Sequence, residues 1–197
     1  MIFQQLFSTV GLSNSYLVGP RGGGDALLVD PGEFGQAMLQ AIESNRLRLR
    51  WILVTHAHRA HIAGIRGLLR VYEPETWCNQ PSILESPARH AQGGDRLELG
   101  EIGVEAIELP GHSIDSLCWR IGDMLFTGDT LSAGGIGRSR DATARELLVT
   151  GIRRRLLALD DDVLVFPGHG PPSSIGIERR FNPYVAAGPP RGCAAAT

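Results

Sequence analysis

Short apolar runs separated by glycine, proline and polar residues predict strands in the first third of the chain. Residues 15–18 and 26–29 are apolar runs on either side of the glycine-rich stretch 19–24, a pattern typical of two strands joined by a turn. Residues 51–55 form a third run, rich in apolar and β-branched side chains, which predicts a strand buried on both faces. The second and third runs stop at Asp30 and His56.

Apolar residues recur at helical spacing after these runs and again in the last third of the chain. The first predicted helix has its apolar residues at Phe34, Met38, Leu39 and Ile42. The second has them at Ile62, Ile65, Leu68 and Leu69. The longest helix is predicted over residues 144–159, and its apolar side consists of Leu147, Leu148, Ile152, Leu156 and Leu159.

The remaining apolar runs are short and predict strands. Residues 75–109 alternate apolar and polar positions between glycine turns, which predicts a mostly antiparallel meander. Residues 117–121 and 124–127 predict a hairpin, and residues 162–166 predict a last buried strand. Because no linker interrupts the alternation of strands and helices, we expect a single α/β domain over residues 1–185 and a frayed tail over residues 186–197.

Composition fits a globular domain without a polyanionic partner. The chain has 197 residues, of which 43% are hydrophobic and 20% charged, and its formal charge of −2 predicts no binding of nucleic acid or anionic membrane. The N-terminus lacks a basic region and a long apolar segment, which predicts a cytoplasmic protein. The three cysteines, Cys78, Cys118 and Cys193, are far apart and predict neither a disulfide nor a cysteine zinc site.

Three histidines follow the strand predicted over residues 51–55. His56 and His58 are two positions apart, so on an extended segment they project to the same side and can bind one ion. His61 lies where the chain turns into the second predicted helix. Neutral imidazole is a standard ligand of zinc and also suits iron. The segment therefore predicts a metal site.

Other potential ligands also follow predicted strands. Because the ends of these strands meet at one edge of the sheets, where open α/β folds place their sites, we expect the ligands to converge there. The residues at these strand ends are Asp30, His56, His112, Asp129 and His169. His90, in a polar stretch, is interpreted as an ordinary surface residue.

These motifs together resemble the metallo-β-lactamase fold superfamily. The matching stretches are T-H-A-H-R-A-H (55–61), P-G-H-S (110–113), F-T-G-D-T (126–130), P-G-H-G (167–170) and D-P-G (30–32). The stretches G-G-I-G-R (134–138) and 168–185 are most similar to the short glyoxalase II-like hydrolases of this superfamily. The resemblance implies a four-layer αββα sandwich with its site at the rim.

The resemblance also implies a set of metal ligands. His56, His58 and His112 would hold a first metal, Asp129 would bridge and orient water, and His61 and His169 would hold a second metal. The expected cofactor is Zn²⁺, one or two per chain, with Fe²⁺ as the alternative. Such an ion lowers the pKa of a bound water toward ~7. Asp30 is interpreted either as a residue that orients a ligand histidine or as a turn residue at a strand end.

The sequence departs from the family pattern at Ala60. The family has H-x-H-x-D-H, and alanine stands where an aspartate would bind the second metal, so we expect this second site to be incomplete. Asp115 could replace the missing carboxylate or could be a solvated loop residue. Arg59 could place a cation in the gap or could stay solvated.

Three functions are compatible with these residues. The leading hypothesis is a metal-dependent hydrolase of a small thioester or related ester, with Arg138 either clamping a substrate carboxylate or pairing with a structural acid. The first alternative is a mononuclear iron enzyme resembling persulfide dioxygenases, with His56, His112 and Asp129 as ligands. The second alternative is a protein that binds metal without turnover.

The expected partner is a small-molecule substrate, and the residues indicate no oligomeric state. Full-length glyoxalase II has a helical C-terminal domain that helps to hold glutathione, and nuclease branches of the superfamily carry extra domains. The chain has no length for either and contains no lysine. We therefore expect no nuclease activity, and the sequence leaves glutathione dependence undecided. We interpret residues 153–155, three consecutive arginines, as a solvated helix face.

Overall fold

The computed structural model describes residues 1–186, so residues 187–197, which include Cys193 and nearly all of the predicted tail, lie outside the described part. Two six-stranded sheets form the centre of the structure. The first sheet contains, in spatial order, β1 (Ile2–Ser8), β2 (Ser13–Gly19), β3 (Gly24–Val29), β4 (Leu47–Leu53), β5 (Glu75–Cys78) and β8 (Arg89–His90). The second contains β16 (Ser173–Ser174), β15 (Leu164–Pro167), β12 (Met124–Gly128), β11 (Leu117–Ile121), β10 (Ile102–Glu108) and β9 (Arg96–Leu99).

Two short hairpins and five α-helices complete the fold of the described residues. The hairpins are β6 (Ser82–Ile83) with β7 (Ser86–Pro87), and β13 (Leu131–Ser132) with β14 (Gly135–Ile136). The helices are α1 (Gln36–Ser44), α2 (Arg59–Ile62), α3 (Ile65–Val71), α4 (Ala142–Gly151) and α5 (Ile175–Phe181), and a π-helical turn, Ile152–Leu156, continues α4. No helix within residues 1–186 is long and apolar enough to cross a membrane.

Three layers of apolar contact hold four layers of structure together. The first joins α1, α2 and α3 to the outer face of the first sheet, through residues such as Ile42, Ile52 and Leu68. The second lies between the sheets and includes the fully buried Trp119. The third joins the second sheet to α4 and its π-helical turn, with Leu148 among its buried residues. The predicted four-layer αββα arrangement is confirmed.

Strand direction explains why the site lies at one edge. In the first sheet β3 and β4 are parallel, so the segments after Val29 and Leu53 leave at the same edge. In the second sheet β12 is parallel to β15, and β10 runs in the same direction because β11 is antiparallel to both β10 and β12. The two sheets thus bring five strand ends to one rim of the sandwich.

The sequence prediction was wrong in part for residues 75–109. Two antiparallel pairs form there, β6 with β7 and β9 with β10, but β5 pairs in parallel with both β4 and β8. The helix predicted after His61 is interrupted at Gly64, whose N–H donates to the Pro31 carbonyl at 2.8 Å. A Cβ at Gly64 would lie 2.7 Å from the Glu33 carbonyl carbon, so this close approach requires glycine.

The apolar faces of two helices also differ from the prediction. Leu39 and Leu147 are 39% and 50% exposed, whereas Met38 and Leu148 beside them are buried. The helix predicted over residues 144–159 begins at Ala142, because Asp141 caps it by accepting a hydrogen bond from the Ala144 N–H at 2.8 Å. Helix α5 was not predicted.

Candidate metal centre

Two buried carboxylates position the loop that carries the first three histidines. Asp30, 2% exposed, accepts hydrogen bonds from the Thr55 N–H at 2.7 Å and the Thr55 hydroxyl at 2.6 Å. Asp115, 6% exposed, accepts from the Ala57 N–H and the Gln80 amide, both at 2.9 Å. These bonds hold the start of the loop, at Thr55 and Ala57, in place.

Both sequence interpretations of Asp115 are wrong. It is buried rather than solvated, and it belongs to neither group of potential metal ligands among the described residues. Its carboxylate is occupied by donors from the histidine loop and from the Ser113 hydroxyl. For Asp30, the structure favours the orienting role, because its Oδ2 lies 3.0 Å from Nδ1 of His61.

The first cluster consists of His56, His58, His112 and Asp129, whose ligand atoms lie within 4.8 Å of one another. Nδ1 of His58 lies 2.9 Å from Nε2 of His56 and 3.1 Å from Nε2 of His112. Oδ2 of Asp129 lies 3.8 Å and 3.6 Å from the same two Nε2 atoms. Three imidazoles and a carboxylate thus surround one point.

Hydrogen bonds behind the imidazoles select their tautomers. His112 Nδ1 donates to the Arg138 carbonyl at 2.8 Å, which leaves Nε2 without a proton. The Thr55 hydroxyl donates to Asp30, so it accepts from His56 Nδ1, 3.1 Å away, and His56 Nε2 is likewise free. Both Nε2 lone pairs point at the centre of the first cluster, as a metal requires.

The second cluster consists of His61, Asp129 and His169. His61 donates from Nδ1 to Asp30, and its Nε2 is buried without a hydrogen-bond partner in the described residues, 3.4 Å from Asp129 Oδ1. His169 makes two hydrogen bonds, from Nδ1 to Asp129 Oδ1 at 2.6 Å and from Nε2 to the Gly11 carbonyl at 3.1 Å. One oxygen of Asp129 faces each cluster.

Burial and neighbouring charges shift the pKa values of the two clusters in opposite directions. Burial lowers the pKa of His56 to about 2 and also lowers that of His112. Burial acts against the protonated form of His61 as well, but the Asp30 and Asp129 carboxylates raise its pKa to about 10. The hydrogen bond to Asp129 raises the pKa of His169. His56 and His112 are therefore neutral near pH 7, whereas His61 retains its second proton.

Close backbone approaches require glycine beside both clusters. A Cβ at Gly168 would lie 2.3 Å from Cε1 of His61, and a Cβ at Gly137 would lie 2.1 Å from the Asp129 carbonyl oxygen. No atom can be accommodated at these distances, so a side chain at either position would displace a ligand. These contacts explain the glycines of P-G-H-G and of G-G-I-G-R.

The turn between β1 and β2 packs against Ala60, where the family resemblance predicts an aspartate. A Cβ at Gly11 would lie 2.6 Å from the Ala60 methyl group, and the Ser13 hydroxyl donates to the Ala60 carbonyl at 2.6 Å. The Gly11 carbonyl is also the acceptor for His169. Backbone from this turn therefore fills space beside the second cluster, a contact that the sequence did not predict.

Helix α5 holds the glycine-rich loop, again without a sequence signal. Glu178, 1% exposed, accepts from the Gly134 N–H at 3.0 Å and from the Asn182 amide at 2.7 Å. Asn182 also donates to the Gly135 carbonyl at 3.1 Å. These bonds fix the start of the loop that ends at Arg138, whose carbonyl orients His112.

A cavity of about 660 Å³ opens over the clusters. Its lining includes His112, Asp129, His169 and Arg138. Arg138 is exposed, and its guanidinium forms no salt bridge with an acid within residues 1–186. The structure therefore does not support a structural ion pair, and the role of Arg138 as a substrate clamp stays a prediction. Arg59 is exposed and does not line this cavity, in agreement with a solvated side chain.

The donor set fits a divalent metal. A single proton on His58 Nδ1 cannot satisfy both neighbouring Nε2 atoms, whereas one cation accepts all three lone pairs. His61 Nε2, a buried polar atom without a hydrogen-bond partner in the described residues, would become a further metal donor once its proton is released. Imidazole and carboxylate donors suit both Zn²⁺ and Fe²⁺. The structure brings all six predicted ligands together, and their binding of metal stays a prediction.

Comparisons with known proteins agree with this picture. A family model described as the metallo-beta-lactamase superfamily matches residues 8–169. The chain is 31% identical to the hydroxyacylglutathione hydrolase GloC of Haemophilus influenzae, over 82% of this chain and 87% of that protein.

Two solved structures share the fold. ETHE1 from Myxococcus xanthus has a TM-score of 0.85 and 31% identity, covering 94% of this chain and 85% of that chain. TTHA1623, solved in a di-iron-bound form, has a TM-score of 0.77 and 28% identity, covering 93% and 100%. The similarity in each case spans the strand ends that carry the two clusters.

Proposed function

This chain belongs to the metallo-β-lactamase superfamily, and we propose that it is a metal-dependent hydrolase of a small thioester or related ester. The observation that carries the proposal is the first cluster, in which His56 and His112 direct unprotonated Nε2 atoms at one point below an open cavity. Similarity to a hydroxyacylglutathione hydrolase supports a thioester as the substrate class.

The side chains of the site would have three different roles in hydrolysis. His56, His58, His112 and Asp129 would hold the metal, which when bound activates water and polarises the carbonyl. Asp129, which belongs to both clusters, would orient the attacking water by accepting a hydrogen bond from it. Arg138, at the cavity wall, would bind a negatively charged group of the substrate and orient the scissile carbonyl.

Thiolate departure needs less assistance from the protein than alkoxide departure. A thiol with a pKa of roughly 8.5 leaves as its anion near neutral pH without a general acid. Among the groups that line the cavity, His169 donates its Nδ1 proton to Asp129 rather than toward the open space. The geometry therefore supports thioesters over esters with strongly basic leaving groups.

A mononuclear iron enzyme is the second candidate. His56, His112 and Asp129 provide two imidazoles and a carboxylate, the facial set used by non-haem iron, and this set does not include residue 60. The di-iron form of TTHA1623 supports the capacity of this fold to take iron. This candidate requires oxygen consumption with a persulfide substrate and no thioester hydrolysis.

The test combines metal analysis with turnover. The protein is purified without added metal, its metals are measured by elemental analysis, and hydrolysis of an activated thioester is followed with and without chelator. We expect chelator and His112→Ala each to abolish hydrolysis. His90→Ala, a change at an exposed histidine outside both clusters, is the matched control and should retain it. Thioester hydrolysis that survives metal removal would contradict the proposal.

A further inference from the structure

Two exposed apolar side chains lie beside the metal centre without an evident structural role. Ile114, two residues after His112, is 84% exposed, and Leu147 on α4 is 50% exposed. Both line one groove of about 350 Å³, whose wall also includes His112. Single exposed apolar residues are common on protein surfaces, but here two from different elements face one groove that ends at a ligand.

The turn that presents Ile114 is held firmly in place. The Gly111 N–H donates to the Ser113 carbonyl and the Ser113 N–H donates to the Ser116 hydroxyl, both at 3.2 Å. A Cβ at Gly111 would lie 2.6 Å from Cβ of Leu148, so the turn is packed directly against α4. Ile114 therefore points to solvent from a fixed backbone rather than from a loop that could fold over it.

The charges at this groove are already paired. Nε of Arg140 lies 3.0 Å from the Asp141 carboxylate, and the other oxygen of that carboxylate caps α4 at the Ala144 N–H. Arg138, without an ion-pair partner in the described part of the chain, lines the metal cavity and not this groove. The groove thus presents Ile114 and Leu147 beside the hydroxyl side chains of Ser113 and Thr143, and no unpaired charge.

We infer that this groove binds an uncharged alkyl chain on the acyl side of the substrate, so that the enzyme prefers medium-chain acyl thioesters to acetyl thioesters. The inference rests on the proposed function. His112 belongs to both the metal cavity and the groove, so a carbonyl at the centre would place its alkyl chain along Ile114 and Leu147. At about 30 Å³ per water, the groove of about 350 Å³ holds about twelve waters, which leaves room for a chain of six to eight carbons.

The direct test is a chain-length series. The kcat/KM is measured for acetyl, butanoyl, hexanoyl and octanoyl thioesters of one thiol, with the metal-loaded enzyme. Full burial of a methylene is worth about fourfold, and this open groove covers about half of the chain, so we expect about twofold per methylene. That is roughly a 60-fold rise from acetyl to octanoyl.

Two variants distinguish binding of the alkyl chain in the groove from a general effect of substrate hydrophobicity on the rate. The double variant Ile114→Ser, Leu147→Ser should reduce the rise to fivefold or less. Val71→Ser is the matched control, because Val71 is 55% exposed on α3, away from both cavities, and it should keep the full rise. A flat series in the wild type, or a full rise in the double variant, would overturn the inference.

A binding measurement distinguishes failure of the groove from failure of the proposed function. If no thioester is hydrolysed, the hydrolase proposal fails, and the groove is tested by calorimetry with metal-loaded protein and two hydroxamates, acetyl and octanoyl. We expect the octanoyl compound to bind at least tenfold more tightly to the wild type and not to the double variant. Equal affinity of the two hydroxamates for the wild type would show that the groove does not bind an alkyl chain.

Discussion

The first and second clusters share Asp129, yet their imidazoles are held in different ways. In the first cluster, the Nε2 atoms of His56 and His112 have no proton and face only other ligands. In the second cluster, His169 already uses both ring nitrogens, and His61 has a raised pKa between two carboxylates. We therefore expect a metal to bind the first cluster without displacing a proton from His56 or His112, and to bind the second only if protons and hydrogen bonds are displaced.

We propose that the difference between the clusters originates at residue 60. With a methyl group there, the turn that carries Gly11 packs against α2, and its carbonyl accepts the Nε2 proton of His169. A backbone carbonyl thus holds a ring that the family resemblance assigns to the second metal. We therefore expect one tightly bound metal per chain, in the first cluster, and a weak second site.

The largest effect should come from removing one histidine from each cluster in turn. His112→Ala removes one of four first-site ligands, and we expect loss of tightly bound metal and a decrease in thioester turnover of about a thousandfold or more. His169→Ala should leave the tight metal in place, with turnover reduced about tenfold because Asp129 loses a hydrogen bond. Elemental analysis and kinetics on both variants check this. Equal loss of metal from the two variants would contradict the asymmetry.

The next effect is a difference in pH dependence. Metal binding to His61 must release its proton, and because that pKa is raised to about 10, the affinity of the second site should increase about tenfold per pH unit below 10. The pKa values of His56 and His112 are lowered, so the affinity of the first site should change little above the ordinary histidine range.

Calorimetric titration from pH 6.5 to 8.5, in two buffers with different ionisation enthalpies, measures the released protons. Over those two units we expect an affinity gain of at least a hundredfold for the second equivalent and at least one proton released at each pH, because His61 loses a proton and both ring nitrogens of His169 donate before the metal binds. The first equivalent should release close to none. Identical proton release by both equivalents would show that the two clusters do not differ in protonation.

Strand ends could be predicted from the sequence, but the contacts between them could not. His56, His112, Asp129 and His169 each follow a short apolar run, and parallel direction alone brings such ends to one edge. The role of Asp115 depends on a bond to the Ala57 N–H, 58 residues away, and no local pattern indicates it. Long-range hydrogen bonds of this kind carry no periodicity.

Helix α5 was missed for a similar reason. It has seven residues, fewer than the window over which helical periodicity is measurable, and its buried residues include Glu178. A buried glutamate opposes the apolar pattern that predicts an amphipathic helix. Its position is explained only by the donors it meets, the Gly134 N–H and the Asn182 amide.

The smallest effect concerns residue 60 itself. Ala60→Asp would add a carboxylate beside His61, and to fit it must displace the turn at Gly11, which releases the Nε2 atom of His169. Because a carboxylate and a released imidazole both favour a cation, we expect the second metal to bind at least tenfold more tightly, about 1.4 kcal/mol. If the incomplete site limits hydrolysis, thioester turnover should increase about tenfold as well.

Two variants serve as controls for Ala60→Asp in metal titrations with parallel turnover assays. Ala60→Asn has the same size without the charge, and Gly11→Ala moves the turn without adding a ligand, since its Cβ would meet the Ala60 methyl group at 2.6 Å. Neither should increase turnover. Tight second-metal binding by Gly11→Ala alone would identify the turn, rather than the absent carboxylate, as the limit. Unchanged metal content in Ala60→Asp would show that residue 60 does not belong to the second site. The asymmetry of the clusters would then need another cause.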